Sequence, residues 1–126
     1  LKTYPYIVAE CDGRIAGYVY AGMFHEREAY ARCVETSIYV DKDMKHMGIG
    51  KVLHSALENE LKSRGILNMY ACIAYPKVED EYLDKNSEEF HKHLGYRLVG
   101  EFYDCGYKFN RWYNMIWMEK MIGEHN

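Results

Sequence analysis

No apolar run in these 126 residues approaches the roughly 20 needed to cross a membrane as a helix. The N-terminus shows no signal-peptide pattern either. The expectation is a soluble, cytoplasmic protein with no membrane partner. Excess positive charge is also lacking. A net charge of −3 leaves no electrostatic footprint for nucleic acid, so no nucleic-acid partner is expected. Cys11, Cys33, Cys72 and Cys105 are the only cysteines and form no C-x-x-C pair. That argues against a zinc site and a disulfide scaffold, and no metal is expected. Each cysteine is read as a small buried apolar residue. There is no internal repeat, linker or low-complexity segment, and the length suits one domain, 1–126.

What is present is an alternation of two periods. Residues 6–10 and 14–24 are strand-like and flank Asp12-Gly13, a strong hairpin signal. Residues 25–32 read as a polar loop. In 33–40, Val34, Thr36, Ile38 and Val40 alternate with Cys33, Glu35, Ser37 and Tyr39, which is strand patterning. From Ile49 the period lengthens. Ile49, Val52, Leu53, Ala56, Leu57 and Leu61 mark one helical stripe, with Gly65 as its stop. Residues 69–75 are apolar enough for a strand buried on both faces, ended by Pro76. A short helix is expected over 86–95. Two long strands follow, joined near Asn110-Arg111. The order β-β-β-α-β-α-β-β implies an α/β mixed sheet. Its crossover from 33–40 to 69–75 is expected to be right-handed, with those strands parallel. Thirteen tyrosines suggest either pocket walls or strand packing.

Gly48 and Gly50 stand where the 49–64 helix begins, although glycine is a poor helix former. The first N–H groups of a helix have no internal partner, and the dipole leaves that end partly positive. Two glycines there strip away side chains and let a phosphate approach the bare backbone, with Lys45 and Lys51 adding charge. The alternative is a plain tight corner. The P-loop spacing fails, because Val52 follows Gly50-Lys51. The dinucleotide spacing fails too, because Leu53 stands at its third glycine. Glu35 sits in a strand of β-branched and aromatic residues, where a carboxylate is costly without a partner or a task. If helices cover that face, burial raises its pKa toward that of a general base; otherwise it is a solvated residue on an open face.

"YVDKDMKHMGIGKVL" (39–53) resembles the acyl-CoA pyrophosphate loop of the GNAT N-acetyltransferases, whose pattern is (Gln/Arg)-x-x-Gly-x-(Gly/Ala). Here it reads Lys45-His46-Met47-Gly48-Ile49-Gly50, with Lys at the first place. "VETSIYV" (34–40), "NSEEFHKHLGY" (86–96) and "GYKFNRWYNMIWMEK" (106–120) are similar to the phosphinothricin and methionine-sulfoximine acetyltransferase branch. The resemblance implies a GNAT-type acyl-CoA N-acyltransferase fold, here without the family's N-terminal strand and two helices, so the domain is expected to be N-terminally incomplete. It implies an acetyl-CoA-dependent enzyme. Such an enzyme moves acetyl to the primary amine of a small amino acid or analogue by direct attack in a ternary complex. The alternative is a non-catalytic CoA-binding module or sensor.

Residue by residue, the resemblance makes Glu35 the base and His91 the acid, with His93 as a helix neighbour pointing elsewhere. Ile38, Tyr39 and Val40 offer main chain to the pantetheine arm. Lys45, His46, Met47, Gly48, Ile49, Gly50 and Lys51 hold the diphosphate. Ser87 contacts CoA together with Asp84 or Asn86. Tyr30, Arg32, Tyr107, Lys108 and Trp112 are acceptor-site residues in this reading, and Arg32 or Lys108 suits a carboxylate. Taken singly, each is also read as surface charge or sheet packing. The long C-terminal strands are expected to support a homodimer.

Overall fold

A computed structural model describes residues 4–41, 48–75 and 86–125. Along the chain these form β1 (Tyr6–Cys11), β2 (Arg14–Met23), a 3-10 turn (Glu28–Tyr30), β3 (Cys33–Val40), α1 (Ile49–Ser63), β4 (Asn68–Tyr75), α2 (Asn86–His93), β5 (Arg97–Lys108) and β6 (Arg111–Met121). The strands lie in one sheet in the order β1-β2-β3-β4-β6-β5. The α/β class and the element order expected from the two periods are therefore present. Contacts gather into two compact units, residues 1–69 with 121–126, and residues 70–120.

In the first unit, Asp12 and Gly13 take φ of 51° and 80°, and Cys11 pairs with Arg14. That is the two-residue hairpin whose twist matches its strands. β2 then pairs antiparallel with β3 from Gly17↔Val40 to Met23↔Val34. The strand period puts Val19, Ala21, Val34 and Thr36 on one face, all buried. Helix α1 packs on β1, β2 and β3 and buries Gly50, Leu53, His54, Leu57 and Leu61. The helical stripe is thus rotated from the expected one. Val52 is 68% exposed and Ala56 is exposed, while His54 takes the inward place. The reason is geometric: Leu53, Leu57 and Leu61 define the buried meridian, and position 54 lies nearer to it than 52 or 56. Hydrogen bonds from Gly65 N to Lys62 O (3.1 Å) and Ile66 N to Leu61 O (3.1 Å) close the helix at Gly65, where the sequence placed its stop.

The other face of β1–β3 carries a tyrosine ladder. Tyr6 stacks on Tyr18 and Tyr20 with ring centroids 5.7 and 5.4 Å apart, and Tyr18 stacks on Tyr39 at 5.4 Å. Offset aromatic pairs contribute roughly 0.5–1.5 kcal/mol each beyond their buried area.

In the second unit, Ala71, Tyr96, Tyr113, Ile116 and Met118 are buried. The β5–β6 hairpin pairs Lys108 with Arg111. Its turn is therefore Phe109-Asn110, at φ 53° and 59°, one residue earlier than expected. Arg111 opens the returning strand instead. β5 is also less regular than a long strand. Phe102 faces Met115 and Gly106 faces Tyr113, so residues 103–105 bulge outward. Buried Asn114 holds the bulge: its Oδ1 accepts the Asp104 N–H at 2.9 Å, and its Nδ2 donates to Glu101 Oε2 at 2.8 Å. This bulge carries Cys105 into solvent, and Cys11, Cys33 and Cys72 are only half-buried. The reading of all four cysteines as buried apolar residues is corrected accordingly.

Candidate active site

Gly48 is the N-cap residue of α1 at φ 74°, ψ 12°, in the left-handed region, and no side chain caps the helix. Its conformation alone favours glycine, a reason the sequence did not display. Its carbonyl accepts the Val52 N–H at 3.2 Å. The N–H groups of Ile49, Gly50 and Lys51 therefore precede the first intrahelical donor. The first turn contains no acidic residue to neutralise them. A Cβ built on Gly48 meets nothing within 4 Å among the described residues. Gly50 is buried and Lys51 exposed. Lys45, His46 and Met47 lie outside the described residues, as does Asp84.

β3 delivers its C-terminal end to the same region of the chain. The Asp41 N–H donates to Ala16 O at 2.8 Å, and Arg14 Nη2 donates to Asp41 Oδ2 at 3.0 Å. Tyr39 is exposed, while Ile38 and Val40 are half-buried. Glu35 lies on the same strand, half-buried, opposite Gly22. It shares a face with Ser37 and Tyr39 and is turned away from the Val34–Thr36 face that α1 covers. The 3-10 turn leads into this strand, and Tyr30 upon it is exposed, its ring 4.9 Å from that of His25. Arg32 is exposed, and its carbonyl accepts the Leu67 and Asn68 N–H groups. Glu35, Ile38, Tyr39, Val40, the Gly48 turn, Tyr30 and Arg32 all belong to the first unit.

His91, Ser87, Asn86, Tyr107 and Lys108 belong to the second. His91 is buried at 6% exposure, with Phe90 and Tyr96 edge-on at 5.5 and 5.0 Å, whereas His93 on the same helix is exposed. The contrast between the two histidines matches the helical spacing. His91 Nδ1 lies 2.7 Å from Ser87 O, so Nδ1–H donates and Nε2 is the acceptor of the neutral ring. Burial pushes its pKa below 6.5, partly offset by the Ser87 bond. Ser87 is exposed on the first turn of α2. Tyr107 and Lys108 are exposed near the hairpin tip, with Tyr107 against Trp112 at 5.0 Å.

The shifted histidine has a consequence for stability. Its folded pKa is depressed, so its contribution is complete above pH 6.5 and is lost as pH falls through the folded value. The wild type should lose Tm as pH falls below 6.5, and thermal melts of His91→Gln should show a smaller acid-side fall. An unchanged acid limb contradicts this.

Sequence reasoning missed Gly17 and Asn114. A glycine inside the strand pattern "RIAGYVY" was the available signal of a close backbone approach.

A mixed α/β sheet with a helix that starts at an uncapped glycine is the class of architecture that can hold a phosphate-bearing ligand. The chain matches the family described as Acetyltransferase (GNAT) domain over residues 1–117, and it belongs to that family. It is 32% identical to phosphinothricin N-acetyltransferase of Streptomyces viridochromogenes, over 89% of this chain and 57% of that protein. It is 30% identical to the L-methionine sulfoximine/L-methionine sulfone acetyltransferase of Salmonella typhimurium, over 99% of this chain and 69% of that protein. A GNAT superfamily phosphinothricin acetyltransferase from Sinorhizobium meliloti, solved in complex with AcCoA, superposes with a TM-score of 0.82 at 35% identity, covering 95% of this chain and 62% of that one. The chain thus spans between about half and about two thirds of these relatives' length. None of the described helices is long and apolar enough to cross a membrane.

Proposed function

We propose that this chain transfers the acetyl group of acetyl-CoA to the primary amine of a small amino acid or analogue, in a direct ternary complex. The observation that carries the reading is the N-terminus of α1 at Gly48, which no described side chain caps, in a chain of the GNAT family. In this reading the N–H groups following Gly48 hold the diphosphate together with Lys45, His46, Met47 and Lys51. Main chain at Ile38, Tyr39 and Val40 pairs with the pantetheine arm and supplies an N–H to the thioester oxygen. Ser87, with Asp84 or Asn86, is a further cofactor contact in this reading.

Glu35 takes a proton from the acceptor ammonium, directly or through water. The free amine then attacks the thioester carbonyl, the C–N bond forms and the C–S bond breaks. His91 is neutral at rest. In this reading its free Nε2 takes the proton that the attacking amine sheds as the C–N bond forms, and passes it to the departing thiolate. Tyr30 and Arg32, with Tyr107 and Lys108, recognise the acceptor, and a guanidinium suits its carboxylate. Relatives named for phosphinothricin and for methionine sulfoximine support an amino-acid analogue as the substrate class. No metal enters this chemistry. Four free cysteines suit the cytoplasm.

A homodimer through the β5–β6 hairpin is part of the proposal. β5 ends the sheet order, and Phe102, Tyr103, Tyr107, Phe109 and Trp112 are all exposed there. Sedimentation velocity should show a dimer, and a monomer throughout the micromolar range contradicts it.

The activity is tested by thiol release from acetyl-CoA against a panel of amino acids including phosphinothricin and methionine sulfoximine. Amine-dependent release supports the enzyme. CoA binding without release from any amine would leave only a binding module.

A further inference from the structure

β2 contains two glycines whose surroundings differ completely. A Cβ on Gly22 meets nothing within 4 Å among the described residues. A Cβ on Gly17 would lie 2.6 Å from the Tyr39 carbonyl oxygen, 3.1 Å from Leu53 Cδ1 and 3.2 Å from Val40 Cα. Real Cβ atoms essentially never come within 3.0 Å of such a neighbour, so something must move. The Leu53 tip is the end of a side chain and has some freedom. The Tyr39 oxygen is backbone in a paired strand, where Gly17 faces Val40, and it moves only if the strand end moves.

Three elements therefore converge on the missing side chain: β2 itself, the last two residues of β3, and the first turns of α1. The neighbouring bonds fix the same corner. Asp41 N donates to Ala16 O, and the Arg14–Asp41 pair spans the same two strands. Leu53 is one helical turn from Ile49, so its depth on the sheet sets where the α1 N-terminus stands.

We infer that Gly17 is a positioning residue for the cofactor: its bare backbone sets the place of the Tyr39–Val40 main chain, and with it the spacing between strand end and helix N-terminus that pantetheine and diphosphate require. This inference rests on the proposed acetyl-CoA site and adds a residue that touches no ligand. The dependence is on distance. A cofactor gripped at two points, a strand edge and a helix end, loses hydrogen-bond geometry at one of them when their separation changes by a few tenths of an ångström.

The test measures CoA affinity by calorimetry for the wild type, Gly17→Ala, Gly22→Ala and Gly17→Ala/Leu53→Val, with thermal melts alongside. Gly22→Ala is the matched control, the same substitution on the same strand in open space. Gly17→Ala should weaken CoA binding about tenfold or more, about 1.4 kcal/mol, while Gly22→Ala stays within about twofold of wild type. Shortening Leu53 removes the side-chain clash and leaves the carbonyl clash. The double variant should therefore recover only the part of the lost thermal stability that the Leu53 contact accounts for, and stay weak for CoA. It also keeps the test usable if Gly17→Ala alone fails to fold. With acetyl-CoA and a working amine, the acetyl-CoA KM should rise while kcat at saturation and the acceptor KM change by less than about twofold.

Wild-type affinity in Gly17→Ala overturns the inference, and so does affinity restored by Leu53→Val, which would make Gly17 a packing residue only. Failure of the wild type to bind CoA is a different result. It removes the proposed function itself, and this inference with it.

Discussion

Replacing Glu35 by Gln should lower kcat by about a hundredfold or more while CoA affinity stays within about twofold of wild type. The substitution keeps side-chain size and one acceptor oxygen but removes the ability to take a proton, and general-base catalysis typically contributes 10²–10⁴-fold. Stability should hardly change. Glu35 is half-buried on the face away from α1, and the strand is anchored by Val34 and Thr36 on the other side, so the exchange should cost under about 0.5 kcal/mol. The pH profile gives an independent signature. In the proposed mechanism Glu35 deprotonates the ammonium, and a variant without it must wait for bulk water. Its rate should climb as pH rises and the free amine becomes common. A variant that keeps kcat within threefold, or whose profile parallels the wild type, removes Glu35 from the role of base.

Gly48 has the second large expected effect, and two substitutions separate its two functions. Gly48→Val places a β-branched residue at φ 74°, where an L-residue is strained by roughly 1–2 kcal/mol or more. It should lose both stability and CoA affinity. Gly48→Asn is the sharper test, because asparagine tolerates the left-handed region. A Cβ at this position meets nothing within 4 Å among the described residues, so the fold should accept asparagine with a change of about 1 kcal/mol or less. Yet a side chain would now stand before the N–H groups of the first turn. CoA affinity should fall at least about tenfold with Tm nearly unchanged. If Gly48→Asn binds CoA as well as the wild type, the glycine serves the backbone turn alone.

The sheet was legible wherever burial followed the strand period. Val34 and Thr36 against Glu35, Ser37 and Tyr39 gave β3 and its two faces, and Asp12-Gly13 gave the first hairpin within a residue. Legibility failed where tertiary packing overrode local pattern. The stripe on α1 was drawn through Val52 and Ala56, yet the helix turns His54 inward, because a hydropathy pattern assigns a histidine outward by default. The β5 bulge was invisible because its cause is Asn114, about ten residues away on the partner strand. The second turn was misplaced by one residue because Phe109, which occupies it at φ 53°, is no turn former.

The place of Gly48 at the start of α1 and the contrast between His91 and His93 were legible, since a helix start and a helical spacing are local properties. Gly17 was not, because the atom that forbids a side chain there, the Tyr39 oxygen, is brought close only by strand pairing. The tyrosines remained two readings until pairing register stacked Tyr6, Tyr18, Tyr20 and Tyr39 into one ladder.

The most direct measurement is a backbone amide titration of the ¹⁵N-labelled chain with CoA and, separately, with pantetheine, which lacks the diphosphate. The account predicts that CoA shifts the Gly48, Ile49, Gly50 and Lys51 amides strongly, while pantetheine leaves them near their free positions and moves only the β3 end. Equal shifts with both ligands, or none at these four amides with CoA bound, would contradict it.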